Sequence, residues 1–256
     1  MPRAAAFSRR APAAAAGAVA VAAEKFTPLV NPKEGSVPTV ADTKRAFIES
    51  YPKPIPAMYN TVIQELLVGQ HVARYQAKYQ YDPVSALGFS SVFDGIMDGA
   101  PLEADKIFDA YISALAQDPV TFRDDTAALE AWAGAAGGIG GLVPDAAGDA
   151  VQQRLAGVAQ MIGDGDFFYS KFFAIGLFRI LELGGATEPD ALKSICEAFN
   201  VSSERVNTDL LNYKNVLSRM AKGKELMQEF LERERKKKAA RAAEKAAEAS
   251  AEQSSE

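Results

Sequence analysis

The chain has 256 residues, enough for one domain of fair size with appendages. One histidine and one cysteine exclude histidine-rich metal clusters, multi-cysteine zinc sites and internal disulfides. The formal charge of −5 is uneven: residues 1–23 carry +3, 231–256 carry +1 and 24–230 carry −9, which sets nucleic acid and anionic lipid aside as partners for that middle part.

Residues 1–23 are rich in alanine, contain Arg3, Arg9 and Arg10 with no acid, and change character at Glu24. This composition is expected of an organelle transit peptide, removed near Val19 to Ala23. A disordered Ala-rich tail is the plain alternative. A secretory signal fits less well, because the apolar stretch is Ala and Gly with only two valines. Residues 24–38, with Pro28, Pro32 and Pro38, read as a linker.

An all-helical domain is expected over 39–200. Its first helix runs from Thr39 to Ser50, and YPKPIP at 51–56 interrupts. A long helix is predicted over Ala57 to Tyr81, with Gly69 inside it as a point where a neighbour packs closely. Asp82-Pro83 and Asp118-Pro119 are helix starts, each placing a side-chain acceptor at the N-cap and a proline where its missing N–H does no harm. They open helices running to Gly99 and to about Trp132, with another over Pro101 to Ala116 between them.

Residues 134–149 (GAAGGIGGLVPDAAGD) read as a flexible connector. Helices over Ala150 to Ile162 and Phe167 to Leu183 follow. In the second, Lys171, Arg179 and Glu182 fall within roughly an 80° arc and the rest is apolar, so it is expected at the centre of the core. Its uninterrupted apolar run, Phe172 to Phe178, is too short to span a membrane. Thr187 with Asp190 resembles a capping box opening Pro189 to Phe199. No strand pattern of any weight occurs, so the fold class is all-α: a compact helical bundle with a long, coiled-coil-like C-terminal helix.

That last helix, over 201–238, carries a heptad. Val206, Tyr213, Met220 and Met227 form one series; Leu210, Leu217, Lys224 and Leu231 form the other. These eight residues are the candidate partner-binding seam. Residues 239–256 read as a charged, fraying tail.

No catalytic, cofactor-binding or metal residues are identified. His71 lies mid-helix without a nucleophile beside it, and reads as a packed or surface histidine. Cys196, between Ile195 and Phe199, reads as a buried inert thiol. The glycines at 137–141 lack the signature of a phosphate loop. Asp164 and Asp166 begin like a calcium loop but read as helix caps. Residues 192–210 have helix-turn-helix spacing, yet the second helix offers Arg205 against Glu204 and Asp209, which is wrong for a DNA reader. It reads instead as a helical corner.

Taken in order, VADTKRAF (40–47), KPIPAMYNTVIQELLV (53–68), YDPVSALGFSSVFDGIMDG (81–99), YSKFFAIGLFRILEL (169–183), ICEAFNVSSERVNTDLLNYKNVLSRM (195–220) and ELMQEFLERER (225–235) resemble the thylakoid formation protein family of chloroplasts and cyanobacteria. The likeness covers roughly 38–238, with departures at Gly69-Gln70 and at 134–149. It implies a non-enzymatic auxiliary factor for photosystem II biogenesis and repair and for thylakoid organisation. The implied partners are the thylakoid FtsH protease complex and photosystem II assembly or repair intermediates, with peripheral membrane association. The implied location is the chloroplast stroma and the stromal face of the thylakoid, which makes residues 1–23 a chloroplast transit peptide. No cofactor, nucleic acid or small-molecule substrate is expected. Rival readings are a helix-turn-helix regulator, a general helical scaffold or adaptor in the stroma, and a helical-bundle enzyme with a deep pocket around Glu65 or Asp94.

Overall fold

A computed structural model of the chain describes residues 37–253 except 187 and 189, and their side chains except those of 227, 231 and 239–253. The expected transit peptide, most of the linker, and Thr187 and Pro189 of the expected capping box therefore lie outside the described residues. Nine α-helices and no strand occur among the described residues, so the chain is all-α. They form two compact units: one up to Leu211, the other from Asn212.

Helix α1 (Val40–Ser50) opens on a capping box, in which Thr39 Oγ1 accepts from Asp42 N and Asp42 Oδ2 accepts from Thr39 N. Helix α2 (Ala57–Arg74) ends seven residues before the expected Tyr81. The segment after it instead carries two tyrosines to distant partners: Tyr79 Oη accepts from Gln117 Nε2 at 2.9 Å, and Tyr81 Oη donates to Asp125 at 2.7 Å. Gly69 meets nothing within 4 Å of a Cβ position, so the expected close neighbour is absent there.

Helix α3 (Pro83–Met97) starts as expected, with the Asp82 carboxylate accepting from Ser85 N at 2.7 Å. Helix α4 (Ala104–Ala114) begins later than Pro101. Helix α5 (Pro119–Ala135) is capped by Asp118, whose carboxylate accepts from Val120 N and Thr121 N. Helix α6 (Ala150–Gly163) opens on a second capping box, Asp149 with Gln152. Helix α7 (Lys171–Leu183) is capped by Ser170, four residues past the expected start at Phe167. Helices α8 (Ala191–Ala198) and α9 (Ser203–Gln253) complete the chain. The helical backbone of α9 continues through 239–253, the stretch expected to fray.

The bundle's centre is α3 as much as α7. Eleven of the fifteen α3 residues are buried, so it is enclosed almost all round, chiefly by α7 and α5. The approach of α3 to α7 depends on two glycines. A Cβ on Gly88 would collide with the Phe172 carbonyl and sit 2.7 Å from Gly176 N; a Cβ on Gly176 would collide with the Val84 carbonyl. Around this crossing Phe89 stacks on Tyr111, with ring centroids 4.9 Å apart, and meets Phe122 and Phe172 edge-on.

The 134–149 segment is a folded part of the core, not a loose connector. It holds a short 3₁₀ turn (Ile139–Gly141), and Leu142 is fully buried against the cluster of α5, α6, α7 and α8. Gln152 donates to the Val143 carbonyl at 3.3 Å, and Trp132 Nε1 donates to Asp149 Oδ2 at 2.9 Å. The apolar Ile-Gly-Gly-Leu within the glycine run supplies that anchor.

Candidate interaction surface

Three polar features of the bundle could have been chemical sites. In the first, Tyr81, Asp125 and Arg154 form a chain, with Arg154 Nη2 3.2 Å from Asp125 Oδ2. Burial pushes the Asp125 carboxyl up against the pull of Arg154, and pushes the Tyr81 hydroxyl up further. Nearby Asp82 is 4% exposed and its carboxyl is pushed up to about 6 by burial. Each carboxylate here is engaged by a helix end or a side chain, so the cluster joins α3, α5 and α6. The second is His71, 7% exposed, whose Nδ1 lies 2.8 Å from Thr43 Oγ1; burial lowers its pKa. It is a packed histidine joining α1 to α2.

The third is an open cleft of about 600 Å³ lined by Tyr51, Lys53, Pro54 and the 100–103 segment. Its carboxylate, Glu103, is held down to about 2 by Lys106 and Lys53, which suits an ion pair rather than proton transfer near neutrality. Asp94, where a rival reading placed a pocket, makes a two-pronged ion pair with Arg123 at 3.1 and 3.2 Å. Among the described residues no group of three His, Cys, Asp or Glu side chains could hold a metal ion. Asp164 ends α6 at its C-cap and Asp166 lies 3.7 Å from Lys78; neither caps the start of α7. Cys196 is fully buried, and burial pushes its thiol up to about 11.

The helix-turn-helix segment is committed to the fold. The turn passes through Asn200 at φ 55°, a left-handed conformation that asparagine tolerates. Arg205 lies over the Tyr169 ring at 4.1 Å, and Tyr169 Oη donates to Asp209 at 2.8 Å. The side chains that a DNA reader would present are spent on Tyr169.

The heptad seam divides along α9. Val206 is fully buried in the core cluster and Leu210 packs against that cluster, so these two hold the helix to the bundle instead of presenting a partner surface. Farther along, Tyr213, Leu217 and Lys224 are half-buried and Met220 is 8% exposed, while the Met227 and Leu231 side chains lie outside the described set. The exposed apolar residues are ones the seam did not include: Leu211, Val216, Leu226 (66% exposed) and Phe230 (58% exposed). Helical angle marks them as lying off the a and d positions, though not as exposed. Charge divides too: residues 24–211 carry −11, whereas 212–242 have ten basic side chains against four acidic, so the charge argument against anionic lipid applies to 24–211 and not, as expected, to the whole of 24–230. No described helix is long and apolar enough to cross a membrane.

The model of the thylakoid formation protein family matches residues 39–242. The chain belongs to this family. A chloroplastic THYLAKOID FORMATION1 protein of Solanum tuberosum is 46% identical over 208 residues, covering 80% of this chain and 71% of the relative. The protein Thf1 of Acaryochloris marina is 35% identical over 216 residues, covering 79% of this chain and 86% of the relative. A solved structure of Psb29 superposes with a TM-score of 0.62 at 28% identity, covering 79% of this chain and 99% of that one. The matches to the thylakoid formation family thus span plants and cyanobacteria, and both the bundle and the first part of α9 fall within the matched residues.

Proposed function

We propose that this member of the thylakoid formation family is a non-enzymatic auxiliary factor for photosystem II biogenesis and repair and for thylakoid organisation, working in the chloroplast stroma and on the stromal face of the thylakoid. The chloroplastic plant relatives support the setting, and the likeness to Psb29 supports the link to photosystem II. The acidic bundle docks on protein partners, with the FtsH protease complex and photosystem II assembly or repair intermediates as the expected ones. The C-terminal helix supplies a second contact surface at the membrane.

The observation that carries this reading is the division of the chain: an acidic unit whose buried carboxylates, Asp82 and Asp125, are engaged within the bundle, followed by a cationic helix with uncovered apolar side chains. Affinity capture from detergent-solubilised thylakoids with the tagged protein tests it. Recovery of FtsH subunits or photosystem II intermediates is expected; recovery of neither overturns the reading.

A further inference from the structure

The geometry points to an anionic lipid surface as what the 212–242 part of α9 contacts: Val216, Leu226 and Phe230 enter the acyl boundary while the arginines and lysines around them meet headgroup phosphates. This rests on the membrane side of the proposed function and gives it a chemical identity.

Three features of the helix carry the assignment. The first is angular. At 100° per residue, Val216, Leu226 and Phe230 fall within an arc of roughly 80°. Gly223 and Arg219 lie in the same arc, and all three apolar side chains are exposed. The second is the placement of charge. Between 212 and 242 the acids Glu225, Glu229 and Glu232 gather in an arc of roughly 60° whose centre lies about 130° round the helix from the apolar one. Glu234, set among the arginines and lysines of 233–238, is the one acid at the angle of Val216. With the apolar arc facing down, Glu225, Glu229 and Glu232 turn away from the membrane, while Arg219 within the arc and Lys222 and Arg233 beside it can reach the headgroups with their long stems. The third is the basic run that follows directly: Arg233, Arg235, Lys236, Lys237, Lys238 and Arg241. A cluster of that size on an amphipathic helix matches a surface of negative lipids. Arg233 also pairs with Glu229 at 3.3 Å, but the pair is largely exposed and yields readily to a phosphate.

A second helix, from another copy or another protein, is a poorer occupant. On this arc the heptad positions would be Val216, Gly223 and Phe230 in one series and Arg219, Leu226 and Arg233 in the other. Glycine leaves a hole where a knob is needed, and arginine fills two of the three places in the second series. Both substitutions suit an interface with lipid, where guanidinium groups meet phosphate and no interdigitation is required.

Co-flotation of the full chain with vesicles tests the assignment. Binding is expected to phosphatidylcholine vesicles containing phosphatidylglycerol, and not to phosphatidylcholine alone, and to weaken with added salt. L226D/F230D is expected to abolish it. K236Q/K237Q should weaken it by about fivefold per lysine removed. Circular dichroism of each variant should match the parent, since the altered side chains are exposed. Equal binding to neutral vesicles, no binding to anionic ones, or binding indifferent to L226D/F230D would each overturn the inference. So would a halving of the mass in light scattering on introducing L226D/F230D, which would assign the face to a second copy. Capture of FtsH subunits from a detergent extract needs no bilayer. Failed flotation with intact capture therefore sinks the lipid assignment alone, and the reverse sinks only the protein-partner reading.

Discussion

Gly88 and Gly176 face one another across the α3–α7 crossing, each occupying space that the other helix's backbone needs. A methyl group at either position would run into a carbonyl oxygen, of Phe172 or of Val84. Backbone carbonyls within helices cannot swing aside as a side chain can, so the whole crossing would have to open. Gly88→Ala and Gly176→Ala are each expected to cost about 3 kcal/mol or more. Gly69, exposed on α2 with nothing near it, is the contrasting case, and Gly69→Ala should stabilise by about 0.5–1 kcal/mol through helix propensity. Denaturant titration of the three variants decides between these signs.

The buried N-cap Asp82 imposes a pH dependence. Its carboxyl in the folded chain is raised to about 6, above the ordinary value near 4, because burial disfavours the charge. The folded state therefore holds this proton more tightly than the unfolded state. The contribution to stability is full below about pH 4 and is lost as pH rises through about 6. Asp82→Asn keeps a cap acceptor but removes the titration. The stability of Asp82→Asn relative to the parent should rise by about 2 kcal/mol between pH 4 and pH 7. A flat difference between those pH values, measured by thermal unfolding, would refute this origin.

Along α9 the apolar residues separate by role. Val206 is enclosed by the core, so Val206→Ala should cost about 2 kcal/mol. Leu226 is two-thirds exposed, and Leu226→Ala should change stability by no more than about 0.5 kcal/mol. Unfolding free energies of the pair check whether Val206 is structural and Leu226, off the seam, is free for contact.

Cys196 should be silent in the native protein. With its thiol raised to about 11, on the order of a thousandth is thiolate at pH 8, and the sulfur is fully enclosed. A chromogenic aromatic disulfide should react promptly after denaturation and only slowly before it. Prompt reaction of the folded chain would mean that α8 opens readily.

The helix starts were legible because their signals are local. Asp82-Pro83 and Asp118-Pro119 each bring acceptor and ring to a cap within two residues. The end of α2 was not legible, because what draws Tyr79 and Tyr81 out of the helix lies on Gln117 and Asp125, 38 and 44 residues away. Residues 134–149 misled for a similar reason: glycines dominate the composition, while Leu142, with Ala136 and Ile139 beside it, decides the packing. The family resemblance rested on long runs of sequence and survived these local errors. In the candidate surface, periodicity marked where α9 carries apolar residues. It could not tell which side the bundle would cover, since that depends on what surrounds Val206.

The hydrogen bond from Trp132 to Asp149 gives the molecule an optical reporter of its own. The chain has a single tryptophan, 9% exposed, and its indole is held by the residue that caps α6. Excited beyond tyrosine absorption, its fluorescence spectrum and lifetime therefore come from one environment, with no second tryptophan to subtract. Loosening of the 136–149 segment or loss of the α6 cap would admit water to the ring and move the emission to longer wavelength, whereas events confined to the exposed part of α9 would leave it unchanged.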